Sequence, residues 1–233
     1  MQTDFLFDPP APRTVPVTGD TRAFPVRRIF CVGRNYAAHA VEMGNEVDRE
    51  NPFYFTKCAT AICPSGSTIA YPAGTTDCHF EMEFVVALGR GGQDVSQARA
   101  SELVLGYACG IDLTRRDLQS AAKDRRRPWD LGKDFDNSAV IAPISRVSAF
   151  GVIGSQRLHL SHDGTIAQEA FLSDMIWTVP EIISDLSRFY SLAPGDLIYT
   201  GTPAGVGPVQ AGSELKGGIE GLAPVHLRIA APD

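Results

Sequence analysis

At 233 residues the chain is long enough for one large domain, or a large domain with a small appendage. Its 44% hydrophobic and 21% charged residues are ordinary for a globular protein, and a formal net charge of −6 argues against nucleic acid and anionic membrane as partners. No apolar run is long enough to span a bilayer, Met1 to Pro12 lacks the pattern of a secretory signal, and the five cysteines are odd in number without C-x-x-C spacing, so the expectation is a cytoplasmic protein with reduced, mostly buried thiols.

Residues 1 to 24 are rich in Pro, Thr and Val and read as extended. Ile29 to Gly33 reads as a buried strand, and Asn35 is placed to cap a short helix, Tyr36 to Met43, stopped by Gly44. Asn45 to Pro52 is polar and charged and reads as a loop able to close over a site; Phe53 to Thr56 has strand character. From Thr68 onward short apolar segments alternate with Gly and Pro. Strands are expected at His79 to Leu88, Leu103 to Ile111, Val140 to Ile144, Arg157 to His162, Asp196 to Thr200 and Pro224 to Ala230. One helix should begin near Thr114, with Thr114 and Asp117 as a capping box, and a second should run from Val179 to Tyr190 with Pro180 in its first turn. The basic run Arg125-Arg126-Arg127 reads as a solvated face. Many strands and few helices make a β-rich α+β fold, with a boundary between a small N-terminal part, 1–64, and a main domain, 65–233.

Chemistry concentrates in a few places. On one strand His79, Glu81 and Glu83 share a face, opposite Phe80, Met82 and Phe84. Two like charges on one strand face repel, and a divalent cation offsets that directly; by themselves they read equally as surface glutamates. Asp112, at the tip of the next apolar strand, shifts the reading toward a metal. Three carboxylates without a thiolate favour Mg²⁺ or Mn²⁺, with Ca²⁺ also suited, over Zn²⁺. His79 is placed either as a fourth ligand or, as is more common for such a His, to support a ligand through a hydrogen bond. Arg116 and Gln119 share a helix face, where Arg116 could clamp a carboxylate. Lys133 lies in a Trp- and Phe-flanked stretch. His39 and Glu42 are one helical turn apart, either an incidental pair or a general base with its orienting acid.

Five segments carry a resemblance. They are Gly33-Arg34-Asn35-Tyr36-Ala37-Ala38-His39 with Glu42-Met43-Gly44, Pro52 to Lys57, His79 to Glu83, Gly110 to Asp117, and Gly195 to Gly207. In this order they resemble the fumarylacetoacetate hydrolase family, from about Val26 to Ile229. The resemblance implies a β-sandwich-roll catalytic domain, a small N-terminal domain and a homodimer. It implies that Glu81, Glu83 and Asp112 hold Mg²⁺ or Mn²⁺, that His39 with Glu42 activates a water, and that Lys133 lies near the oxyanion. Arg116, Gln119 and Thr202 would contact substrate, and Arg34 of the first segment joins these candidates. The implied substrate is a small 2,4-diketo acid, and Phe24 to His39 looks closest to members that cleave fumarylpyruvate into fumarate and pyruvate. Decarboxylation of oxaloacetate and isomerisation of an unsaturated 2-keto acid are the alternatives on such a site. A non-catalytic ligand-binding relative would be expected to lose His39 or Lys133. Two positions depart from the family's pattern: Cys58, where proline is common, and Phe80, where a second histidine is.

Overall fold

The computed structural model describes residues 4–42 and 49–230. Its centre is the strand Met82–Leu88, buried at every position. Phe84, Val86 and Leu88 enter one apolar cluster while Val85 and Ala87 enter another on the opposite face. A strand covered on both faces has no polar side to show, which is why this segment reads as a continuous apolar run. Arg28–Gly33 repeats the pattern, with Phe30 and Val32 in the first cluster and Ile29 and Cys31 in the second.

Met82–Leu88 pairs antiparallel with Val104–Asp112 on one side and with Asp196–Tyr199 on the other. Arg28–Gly33 and Phe53–Lys57 extend the sheet beyond Asp196–Tyr199, and Ala139–Ile141 and Ile62–Pro64 extend it beyond Val104–Asp112. This large sheet curls, and a five-stranded sheet packs on it, ordered Thr165–Phe171, Arg157–His162, Glu214–Ile219, Val225–Ile229 and Ser67–Ile69. Leu158, Leu160, Leu215 and Leu227 from the second sheet join Phe84 and Val86 in the first cluster. Each such buried side chain contributes about 1.5–3 kcal/mol relative to exposure. The helix Val179–Phe189 closes one flank through Ile182, Ile183 and Leu186, its first turn fixed by Pro180 and by the Glu181 carboxylate accepting the Thr178 N–H at 2.8 Å.

Three local expectations need correction. The strand expected over His79 to Leu88 is two strands, because the chain leaves the pairing at Glu81. Cys78–Phe80 lies instead between Thr114–Arg115 and Gly207–Pro208 in a small three-stranded sheet. The helix expected from Thr114 starts at Arg116 without a side-chain cap. Thr114 is held by pairing with His79, and the Asp117 carboxylate accepts from the Thr75 hydroxyl (2.6 Å) and Thr76 N–H (3.2 Å). Asn35 caps no helix: its amide donates to the carbonyls of Thr200 and Trp177 and accepts from Trp177 N–H, pinning the start of Ala37–Glu42 to two distant loops. The expected helix end at Met43 and Gly44, and the loop as far as Asp48, lie outside the described residues. Strands from both sides of residue 64 share the large sheet. Cys31, Cys63, Cys78 and Cys109 are buried free thiols, and Cys58 is exposed. Among the described residues no helix is long and apolar enough to cross a membrane.

Candidate active site

The break at Glu81 builds the site. Glu81 leaves one strand, Glu83 begins the next, and Asp112 ends the strand paired with it; carboxylate oxygens of the three lie within 4.8 Å of one another. Glu81, Glu83 and Asp112 are 5%, 2% and 0% exposed, so water cannot screen their repulsion. Two of them have cations. Lys133 Nζ donates to Glu81 Oε2 and Asp112 Oδ2, both at 2.7 Å, and to Thr114 Oγ1 at 2.6 Å. Arg116 donates to Glu81 Oε1 at 2.5 Å and to the Gln119 side-chain Oε1 at 2.7 Å. Burial pushes the Glu81 carboxyl up, but Lys133, Arg116 and His39 outweigh it and hold the group below its ordinary range. Burial likewise disfavours the Lys133 ammonium, and Asp112 and Glu81 more than restore it.

Glu83 is different. Among the described residues it has no ion pair; it accepts the Gly201 N–H at 2.8 Å. Burial, then Asp112 and Glu81, push its carboxyl well above the ordinary range. A buried acid held beside two others without a cation of its own fits a divalent metal site, and the all-oxygen donor set suits Mg²⁺, Mn²⁺ or Ca²⁺. His79 does not join it: its Nε2 bonds Asp77 at 2.8 Å.

His39 and Glu42 do meet, Nδ1 to Oε2 at 3.1 Å, with His39 only 7% exposed. The same loop serves both acids. Gly201 N–H binds Glu83, and Gly205 N–H binds Glu42 Oε1 at 3.0 Å. Both glycines have positive φ (98° and 94°), and a Cβ on either would collide with Asn35 or with the Ala167 carbonyl. One pocket is lined by Arg34, His39, Glu81, Glu83, Arg116, Gln119, Lys133 and Thr202, eight of the ten candidate residues; the other two, Asp112 and Glu42, are bonded to lining residues, Asp112 to Lys133 and Glu42 to His39.

The family model for the fumarylacetoacetate hydrolase C-terminal domain matches residues 28–230. The chain belongs to the fumarylacetoacetate hydrolase family. It is 48% identical over 190 residues to a fumarylpyruvate hydrolase from a Ralstonia species, covering 80% of this chain and 98% of the relative. It is 39% identical to a mitochondrial oxaloacetate tautomerase from Mus musculus, over 87% of this chain and 91% of the relative. A crystal structure of fumarylpyruvate hydrolase from Pseudomonas aeruginosa, in complex with Mn²⁺ and pyruvate, superposes with a TM-score of 0.94 at 46% identity, covering 98% of this chain and 100% of that one.

Some residues in and behind this family member's pocket escaped the sequence reading. Lys57 is 2% exposed; its ammonium lies 2.8 Å from Asp112 Oδ1, donates to Ser138 Oγ at 2.9 Å and also reaches the carbonyl of Lys133. The signal was its place on the Phe53 and Phe55 side of a strand. Lys123, Phe55 and Trp129 also line the pocket. Lys123 follows Arg116 and Gln119 at helical spacing on one face. Arg116, expected at substrate, also holds Glu81, while its buried Nε has no partner. Thr202 Oγ1 accepts from Gln168 at 2.8 Å. The two departures from family pattern lie off the pocket lining. Cys58 N–H donates to Asp134 at 2.8 Å, a bond proline could not make, and Phe80 packs on His162.

Proposed function

We propose that the enzyme is a metal-dependent hydrolase that cleaves a carbon–carbon bond of a 2,4-diketo acid, with fumarylpyruvate, giving fumarate and pyruvate, as the substrate that fits best. The observation that carries this reading is a general-base pair, His39 with Glu42, opening on the same pocket as the three-carboxylate cluster. The Ralstonia relative and the Mn²⁺ and pyruvate of the Pseudomonas structure support it. A Mg²⁺ or Mn²⁺ ion held by Glu81, Glu83 and Asp112 would supply a Lewis acid for the substrate carboxylate and 2-keto oxygen.

The chain's own groups do the rest. Glu42 accepts from His39 Nδ1, which leaves Nε2 as the base that takes a proton from water. The hydroxide adds to the distal carbonyl. Lys133, kept protonated by Asp112 and Glu81, stabilises the oxyanion formed there. The bond to the pyruvate methylene carbon breaks, and that carbon takes the proton held by His39. Arg116, Gln119, Thr202 and Arg34 position the substrate.

The Mus musculus relative favours a second reading, oxaloacetate chemistry on the same site. Decarboxylation needs no activated water, so the His39–Glu42 pair argues for hydrolysis over decarboxylation. With saturating Mn²⁺, His39→Ala should lose about 10²–10⁴-fold in fumarylpyruvate cleavage, the usual worth of a general base, and lose much less of any oxaloacetate decarboxylation. Equal losses in both reactions would withdraw His39 as the water-activating base. Turnover of oxaloacetate but not fumarylpyruvate by the unaltered enzyme would put the second reading first.

A further inference from the structure

The cations in and behind the pocket fall into two groups. The inner ones, Lys133, Arg116 and Lys57, are each paired with Glu81 or Asp112. Arg34 and Lys123 line the same pocket, and among the described residues neither is paired with a carboxylate. Both lie on aromatic rings instead. The Lys123 ammonium is 4.9 Å from the centre of Trp129, and the Arg34 guanidinium is 5.9 Å from the centre of Phe53. Those two rings are 4.8 Å apart, so the cations border one aromatic wall. Arg34 sits there with φ of 60°, a backbone conformation that costs free energy for a residue with a side chain.

We propose that Lys123, with Arg34, is the subsite for a second carboxylate at the far end of the substrate, and that it makes the enzyme select 2,4-diketo diacids over acylpyruvates with a neutral tail. This deepens the hydrolase reading and rests on it. Like charges gathered without counter-ions are costly, and an arriving anion offsets that cost. A flat, conjugated acyl chain suits the wall of Phe55 and Trp129, whose ring centres are 6.0 Å apart. Burial, then Arg116 and Arg34, lower the Lys123 pKa to about 8, with Glu81 opposing them. A lysine merely resting its stem on Trp129 would have the same contact and no preference among substrates.

Two measurements on the Mn²⁺-loaded protein test this, with Lys123→Met and Lys123→Arg beside the unaltered chain. The first is kcat/KM for fumarylpyruvate divided by that for acetylpyruvate, which lacks the second carboxylate. Lys123→Met should lower this ratio about 10- to 100-fold, the worth of a hydrogen bond to a charged group, and Lys123→Arg should restore most of it. The second is calorimetric binding of 2-oxoheptanedioate against 2-oxoheptanoate, neither of which has a 4-keto group to cleave. The diacid should bind about tenfold tighter or more to the unaltered chain, and Lys123→Met should remove most of the difference. Equal losses on both substrates, or a diacid preference untouched by Lys123→Met, would overturn the subsite. Absence of hydrolysis with the binding preference intact would instead sink the hydrolase reading and leave the subsite standing.

Discussion

Asp196 and Glu83 lie on adjacent strands of the large sheet, both buried, and differ in what surrounds their charge. Asp196 is paired with Arg27 and Arg28, each at 2.9 Å, and accepts the Ala193 N–H at 2.9 Å. Both arginines reach solvent, with side chains 49% and 25% exposed, so the cluster is neutralised and partly hydrated. Glu83 is offered one backbone N–H and two neighbouring carboxylates, and the nearby Lys133 ammonium is bonded to those neighbours instead. Burial of an acid therefore does not mark a site in this fold. A shortage of positive charge around a buried acid does, because the protein must then find the missing charge in something it binds.

Substitutions at the two acids should separate these roles. Glu83→Gln keeps an acceptor for Gly201 N–H and removes the charge. It should weaken Mn²⁺ binding by more than the 10–100-fold typical of residues that only support a ligand, and abolish Mn²⁺-dependent turnover. Retained turnover at the same Mn²⁺ concentration would break the comparison at its acidic end. Mn²⁺ at about 100 times its dissociation constant should stabilise the unaltered protein by about 2.7 kcal/mol, read as a rise in Tm, and should not stabilise Glu83→Gln. Asp196→Asn should cost about 1–3 kcal/mol of stability through under-satisfied arginines, with Mn²⁺ affinity unchanged; a loss of affinity would mean the two clusters are coupled. The smallest effect concerns pH. Lys123, half-buried and facing Arg116, Arg34 and Lys133 with Glu81 opposing, is charged below about 8 and gives up its proton above it. The preference for fumarylpyruvate over acetylpyruvate should fall as pH rises through that value, and a flat ratio from pH 7 to 9 would count against a charged Lys123.

Much of this was legible in the sequence where one local rule governs. The apolar strands declare themselves by composition, the His39–Glu42 contact follows from helical spacing, and Asp112 stands at a strand tip as its neighbours require. The break at Glu81 was not legible. Alternation through His79, Glu81 and Glu83 is what an unbroken strand would show, and only pairing of Cys78–Phe80 with the distant Thr114–Arg115 and Gly207–Pro208 turns it aside. The Thr114–Asp117 spacing misled for a related reason: Thr75 and Lys133, remote in sequence, claim both side chains. Lys57 was hidden because its partners, Asp112 at a strand end and Ser138 just before another strand, are remote in sequence. Lys123 could have been read from Arg116 and Gln119, whose helix face it continues.

The most direct test is calorimetric titration of Mn²⁺ into three proteins, the unaltered chain, Glu83→Gln and Asp196→Asn, at one pH and salt concentration. One site per chain should appear in the unaltered protein and in Asp196→Asn with matching affinity, and should be lost or strongly weakened in Glu83→Gln. Equal Mn²⁺ affinity in all three would contradict the claim that the uncompensated charge at Glu83 is what makes this cluster a metal site.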